Sequence, residues 1–441
     1  MPSLEKINEY VISVCQQIRW KKVHLRISEE ITNHVIDGRD AYIKQGLDEQ
    51  EATERAIADT GDALTVGSQL DRAHRPKPQW IMFMWVTGLI FSGLAASLFV
   101  FGNENISNRL LWTAIGTIIM AGAYFTDFTI LGRYPKTVCF GVGLLAWVGF
   151  QLQPSFHGIL ITLPTLTQTI QIIALLFPVI FAPVIFSAKG KGYRGLIVCL
   201  AAYVYLCLIA FAAPALSGFT HFAIIGKILL LVALLKNWFG INKAIGILLS
   251  IIPGASILAF MLFVYRLESW IVMRLVHVFN PHSDPMARGF LALRVRELLS
   301  GAVLLGEGTI PDFFPQSWLY SDFILSTIIS RFGWLVFVMI MGALLFFIIK
   351  AAMRCIKQKS GLGFFVSLAI IITFSVQVFM YVTFNLGIIL THISLPFISP
   401  GNFAMLVNMG LMGFMLSVFR TGDAVIDKGI SSSLNPQNNY N

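Results

Sequence analysis

The sequence predicts an all-α, polytopic membrane protein: a small soluble helical N-terminal domain followed by about ten transmembrane helices. Three observations predict it. First, 56% of the 441 residues are hydrophobic and only 12% are charged, whereas soluble domains carry roughly a quarter charged residues. Second, the charge is segregated. Residues 1–79 hold 13 of the 23 acids and 11 of the 32 basic residues, and the remainder is apolar and strongly basic. Third, apolar runs of the length needed to cross a ~30 Å hydrocarbon core recur along residues 80–420.

In the N-terminal segment, Leu4, Ile7, Val11, Val14 and Ile18 recur at helical spacing, as do Ile27, Ile31 and Val35. Asp48 and Glu51 resemble a capping box opening a third helix that Gly61 can close, and a short helix is expected from Asp62 to His74. Arg75-Pro-Lys-Pro78 breaks the pattern, so the soluble domain is placed at 1–76. Gln17-Ile-Arg-Trp-Lys-Lys22, with the stretch from Glu51-Ala52 to Gly61-Asp62, resembles the permease-prefix domain found ahead of several bacterial membrane proteins. Nothing in it reads as catalytic, and an interaction or regulatory role is expected.

The spans are expected near 80–101, 110–131, 136–153, 159–187, 195–213, 220–237, 242–265, 319–350, 362–390 and 402–420. Loops on one side carry Arg133, Lys136, Lys189, Lys191, Arg194, Lys236, Lys243, Lys350, Arg354, Lys357 and Lys359, and most loops on the other side are nearly free of basic residues. The positive-inside rule then places both termini in the cytoplasm. No cleavable signal is visible, so the first span is expected to direct insertion. Residues 423–441 read as a disordered cytoplasmic tail. The five cysteines are scattered without metal-type spacing, and no basic or aromatic-basic module argues for nucleic acid.

The external loop 266–318 departs from the charge rule. It contains Arg266, Arg274, Arg288, Arg294 and Arg296, with Glu268, Asp284, Glu297, Glu307 and Asp312. Read by charge alone it is a solvated loop. Its arginines equally suit a phosphate or pyrophosphate headgroup.

The order of motifs around this loop carries a resemblance. Arg274 is followed by Asn280-Pro281, Asp284-Pro285 and Gly289-Phe290, then by Gly301 and Gly306-Glu-Gly308. Ser321-Asp322-Phe323-Ile324 and Leu395-Pro396-Phe397-Ile398-Ser399 follow. Together they resemble the shape, elongation, division and sporulation family, to which FtsW, RodA and SpoVE belong, over about residues 80–422. The resemblance implies a peptidoglycan glycosyltransferase that polymerises lipid II, an undecaprenyl-pyrophosphate-linked disaccharide, outside the membrane. It also implies a class B penicillin-binding transpeptidase as partner. Asp284 takes the family's place for the base that accepts the acceptor-hydroxyl proton. By their charge, Arg274, Arg288 and Arg294 are candidates to hold pyrophosphate, with Asp322 lining the cavity and a divalent cation, magnesium or manganese, as a candidate helper; no protein metal site is expected. Asn280, Pro281, Pro285, Gly289 and Pro396 would shape the backbone.

The chain departs from the family pattern at several polar positions. Leu291 and Arg294-Val295 replace Gln and Gln-Ser, Ser330-Arg331 replaces an acidic pair, and Leu163-Pro-Thr-Leu166, Ala213-Pro-Ala-Leu-Ser217 and Pro400-Gly-Asn-Phe403 replace further polar motifs. Two alternatives to the enzyme follow: a scaffold or regulator of cell-wall synthesis, and a transporter of lipid-linked precursors. Among the remaining polar residues, Asp127, near the cytoplasmic end of a span, is expected to snorkel or to pair with Arg133 rather than to carry function. Lys227 lacks an evident partner. His221 and His392 read as satisfied polar residues near outer ends.

Overall fold

The computed structural model describes residues 2–76, 78–101, 106–151, 155–156, 159–160, 172–212, 216–265, 280–286, 289–309, 323–388, 394–396 and 402–422. They form two compact units, one over Met1–Pro78 and one over Gln79–Phe419.

The first unit contains α1 (Pro2–Gln16), α2 (His24–Lys44), α3 (Glu49–Thr60) and α4 (Ala63–His74). Its core is the apolar stripe of α1 and α2: Ile7, Val11, Val14, Ile18, Val23, Ile27, Ile31 and Val35, closed by Ala56. Leu4, in the first turn of α1, stays 51% exposed although it continues the same stripe. The Asp48 side chain accepts from Gln50 N–H at 3.2 Å, and Asp62 accepts from Thr65 N–H at 3.1 Å, so each carboxylate satisfies a donor that a helix start leaves open. Polar links close the unit: Tyr10 Oη donates to Gly61 O (2.8 Å), and Arg19 N–H donates to Asp71 Oδ1 (2.9 Å).

The second unit is a bundle of apolar helices: α5 (Trp80–Phe101), α6 (Ile106–Phe125), short α7 (Thr129–Arg133), α8 (Pro135–Gln151), α9 (Phe177–Ser187), α10 (Gly192–Ala212), α11 (Leu216–Leu235), α12 (Lys243–Tyr265), α13 (Phe290–Ser300), α14 (Ile324–Phe332), α15 (Trp334–Ile356), α16 (Gly361–Asn385) and α17 (Asn402–Thr421). A two-residue antiparallel ladder pairs Ser155–Phe156 with Ile159–Leu160. Among the described residues, five helices are long and apolar enough to cross a membrane: α10, α11, α15, α16 and α17. Shorter apolar stretches lie at Trp80–Ala96, Pro135–Gly149, Ala174–Ser187 and Lys243–Ser256. A helix falls within each of the ten expected spans, and the protein is a multi-pass helical membrane protein.

The structure shifts several expected boundaries. The eighth span was expected at 319–350. It breaks at Gly333, whose φ of +91° a side chain would strain and whose added Cβ would lie 2.6 Å from Leu304 O. The crossing helix is therefore α15, and α14 is a separate short helix whose residues 324–330 are all buried. Helix α6 ends at Phe125, so Asp127 lies outside the second span; its carboxylate accepts from Thr129 N–H (3.1 Å). Arg133 stacks over Tyr134, 5.6 Å from the ring centre.

Helix α16 is the most enclosed of the five long spans, with both polar and apolar side chains buried along its length. It packs against α9, α11 and α15. Ser360 caps its start by accepting from Gly363 N–H (3.2 Å). Trp238 joins two neighbours: its Nε1 donates to Ile185 O (3.0 Å), and its ring meets Phe365 edge-on at 4.9 Å. Lys227 has a partner after all, since its ammonium donates to the carbonyl and hydroxyl oxygens of Ser250 on α12. His221 runs against expectation: it is fully buried, and neither ring nitrogen has a hydrogen-bond partner among the described residues.

Candidate active site

The segment around Asp284 is shaped by its two prolines. Residues preceding proline are pushed out of the helical region by the pyrrolidine ring. Asn280 (φ −130°, ψ 77°) and Asp284 (φ −148°, ψ 71°) both obey this, and between them Pro281–Ser283 make one 3-10 turn. Ser283 ties the turn down, its N–H and Oγ both donating to Asn280 O (3.2 and 2.7 Å). Pro281 is buried and Pro285 exposed, leaving Asp284 half-buried between an anchored and a solvated proline.

Gly289 locks this turn onto α13. Its N–H donates to Asp284 O at 2.9 Å. A Cβ at position 289 would stand 1.9 Å from Pro281 O and 2.9 Å from Asp284 O, so the backbones approach as closely as they do only because residue 289 lacks a side chain. The carboxylate is thus presented from a turn whose geometry is set by proline, glycine and backbone bonds.

Helix α13 is in turn fixed to the bundle. Val295 forms a buried cluster with Phe323 and Phe384, against which Leu291 and Leu299 pack. Phe323 and Phe384 stack at 4.8 Å with 16° between their planes. Two of the departures from the family pattern, Leu291 and Val295, therefore serve this apolar seam. Arg296 reaches across it and donates to Gly387 O at 3.2 Å, just past the end of α16. Below it, Asn385 Oδ1 accepts from Ser326 N–H (3.1 Å), the Ser326 hydroxyl donates to Asn385 O (2.7 Å), and Asn385 Nδ2 donates to Tyr381 O (3.1 Å). The glycine-rich segment that follows α13 is stitched to α14 and α15 by Gly308 N–H to Ser330 O (2.7 Å), Gly306 N–H to Phe332 O (3.2 Å) and Trp334 N–H to Val303 O (3.1 Å).

The candidate site residues are distributed as follows. Asn280, Pro281, Asp284, Pro285 and Gly289 come together in one turn at the start of α13. Arg294 lies one helical turn into α13, where it pairs with Glu297 (2.8 Å) and lies over the Phe290 ring at 5.0 Å. Pro396 is buried in a turn. Arg274, Arg288 and Asp322 lie outside the described residues, as do His392, Asp312, Glu268 and Arg266. In place of the family's acidic pair, Ser330 is fully buried and Arg331 is half-buried. Among the described residues no three His, Cys, Asp or Glu side chains converge on a point that would hold a metal. A magnesium site of the kind completed by substrate phosphates needs only one or two protein carboxylates, which Asp284 satisfies in donor type.

Reasoning from sequence named Arg296 only among the loop's charges, without this contact, and passed over Asn385 and Ser326. A cue for one of them was available: Asn385-Leu-Gly387 is a typical helix end, with Gly387 at a φ of +67°.

Comparison with known proteins places this arrangement. The FtsW/RodA/SpoVE family, described as cell cycle proteins, matches residues 79–423, and the chain belongs to that family. It is 26% identical over 184 residues to a probable peptidoglycan glycosyltransferase FtsW of Trichlorobacter lovleyi, covering 40% of this chain and 48% of that one. It is also 26% identical over 202 residues to the protein of the same name from Borreliella burgdorferi, covering 44% and 53%. The chain thus spans about half the length of these relatives. In fold it is similar to a chain of a peptidoglycan synthase complex that couples polymerization to crosslinking (TM-score 0.57, 16% identity, 78% of this chain and 98% of that one). It is also similar to a mutant form of the rod shape determining protein RodA of Thermus thermophilus (TM-score 0.51, 12% identity, 78% and 98%).

Proposed function

We propose that this protein is a peptidoglycan glycosyltransferase that polymerises lipid II at the outer face of the cytoplasmic membrane. The observation that carries the reading is the Asp284 carboxylate, held in a turn that two prolines and the Gly289 contact set rigidly at the head of α13. Family membership and the names of the relatives support it.

In this reading the 4-hydroxyl of an acceptor sugar attacks the anomeric carbon of an undecaprenyl-pyrophosphate-linked glycan. The new C–O bond forms as the C–O bond to pyrophosphate breaks, and the pyrophosphate leaves with the electron pair. A neutral alcohol is a poor nucleophile, so a carboxylate that takes its proton in the transition state lowers the barrier, typically by 10²–10⁴-fold in rate. Asp284 fills that role. Arg274 and Arg288 are assigned to the pyrophosphate by charge alone. Arg294 would have to exchange its Glu297 pairing for substrate to join them. A divalent cation arriving with the pyrophosphate would neutralise part of its charge.

The basic-residue asymmetry of the loops supports placing both termini in the cytoplasm and Asp284 outside. A class B penicillin-binding transpeptidase is the proposed partner. Helix α15, the least enclosed of the five long spans, offers a membrane-embedded face for a single-span helix.

The deciding experiment is polymerisation of lipid II by purified protein, with the partner transpeptidase present, for the natural chain and for Asp284→Ala. Glycan strands from the first and none from the second support the reading. Full complementation of a deletion by Asp284→Ala would favour the scaffold, to which the apolar replacements Leu291 and Val295 also lend weight. Transfer of labelled lipid across vesicles without polymer would favour the transporter.

A further inference from the structure

A groove runs down the lipid-facing seam of α8 and α10. Its two halves have volumes of about 210 and 300 Å³ and share Phe140 and Tyr205. One half is lined by Lys136, Cys139, Val184, Val198, Ala201 and Ala202, and the other by Leu144, Trp147, Leu208 and Ile209. Lining residues advance together along both helices, from 136 to 147 on α8 and from 198 to 209 on α10, so the helices run side by side in the same direction.

The seam is built to stay open. The Tyr205 ring occupies the place that a side chain at Gly143 would take, since a Cβ there would lie 2.6 Å from it. Tyr205 stacks on Phe140 (5.6 Å, 16°), and its hydroxyl donates to Phe140 O at 3.0 Å. That bond spends the one polar group in the middle of the groove and leaves the rest apolar. Small residues, Ala201 and Ala202, keep the wall low on the α10 side.

Charge marks only one end. Lys136 lines the groove at the start of α8, and Lys191 stands just before the start of α10, at the same end because the two helices run in the same direction. Both are exposed, and among the described residues no acidic side chain pairs with either. From Lys136 to Trp147 the helix rises about 16 Å at 1.5 Å per residue. That is close to half of the ~30 Å hydrocarbon core. A chain lying in the groove would therefore reach from the headgroup level to the bilayer centre, the depth of one leaflet.

We infer that this groove is a binding site for an anionic diacyl phospholipid, one acyl chain lying along Phe140, Leu144 and Tyr205 and the phosphate-bearing headgroup held between Lys136 and Lys191. Charge complementarity selects an anionic headgroup, and the single-leaflet length selects a diacyl lipid over a longer polyprenyl chain. The site lies apart from Asp284 and does not depend on the glycosyltransferase reading.

Native mass spectrometry of the full chain in detergent tests it, with dioleoylphosphatidylglycerol and dioleoylphosphatidylcholine as probes, which share acyl chains and differ in charge. One tightly retained phosphatidylglycerol per chain is expected, favoured over phosphatidylcholine by about fivefold for each lysine engaged. Lys136→Gln should reduce that preference by about the same factor, and Ala201→Phe, which fills the groove from its exposed side, should lower retention of both lipids. Equal retention of the two lipids would overturn the proposal. So would binding unchanged in both variants, or displacement of phosphatidylglycerol by equimolar undecaprenyl phosphate. Lys136 is exposed at a helix start, so Lys136→Gln is read even if Ala201→Phe fails to fold.

Discussion

The Arg296 guanidinium donates to the Gly387 carbonyl oxygen across 3.2 Å, joining α13 to the end of α16, 91 residues further along the chain. Because α13 begins at Gly289 and Gly289 holds the Asp284 turn, this bond lies in the line of support between the bundle and the carboxylate. Arg296 is a positioning residue. Hydrogen bonds from charged donors contribute about 1.5–3 kcal/mol. Arg296→Gln is expected to lower kcat for lipid II polymerisation about tenfold or more, the effect of roughly 1.4 kcal/mol in the barrier, with KM little changed. Faster amide exchange at 290–300 distinguishes a loosened helix from a lost substrate contact, because only the former alters the free protein.

Gly289→Ala places a Cβ where Pro281 O already stands, 1.9 Å away. Neither backbone can yield without moving the turn that carries Asp284. A displacement of about 1 Å at a reacting group costs on the order of 10²-fold in rate. The variant should fold, with an unfolding temperature near that of the natural protein, and should polymerise lipid II about 100-fold more slowly. Unimpaired polymerisation would remove the close contact from the account of the site.

Asn385→Leu removes the acceptor of Ser326 N–H and the donor to Tyr381 O in a fully buried place. Polar contacts between membrane helices are worth about 1–2 kcal/mol. A loss of that size in detergent, read by thermal unfolding, is expected. Asn385→Asp should retain part of the stability because an acceptor oxygen remains.

The N-terminal unit should lose stability in alkali. Burial, with the nearby Asp62 charge, raises the Tyr10 hydroxyl above its ordinary value of 10.0. The Asp59 hydrogen bond, above all, raises Tyr42. A group raised in the folded state contributes stability that is fully present below its unfolded value and disappears as pH rises through the folded one. Amide exchange over residues 2–74 should therefore accelerate above pH 10. Tyr10→Phe should flatten part of that dependence, leaving the share due to Tyr42.

The bundle itself was legible in the chain. Apolar periodicity placed a helix within every expected span, because a hydrocarbon solvent demands long runs without charge and backbone bonds closed within the segment. The stripe Ile7, Val11, Val14, the Asp48 cap and the helix starting near Asp62 were equally legible, being local in sequence. Boundaries went astray where a single backbone feature outweighed composition. At Gly333 the chain turns in the midst of an apolar run, and at Phe125 a helix ends before its run does.

By itself the sequence determined that the chain is a membrane helical bundle, and it marked Asp284, with its neighbouring prolines and Gly289, as the residues to examine. The first assignment rests on hydrophobicity, which acts before any fold exists, and the second on the order of motifs that resembles the family. Only the tertiary structure decided that Leu291 and Val295 form an apolar seam with Phe323 and Phe384, that Lys227 meets Ser250, that Arg296 holds Gly387, and that α8 and α10 leave a groove headed by Lys136. Each of these joins residues far apart in the chain, and a pairing of that kind is chosen by which helix faces pack together, a global competition that no local pattern records.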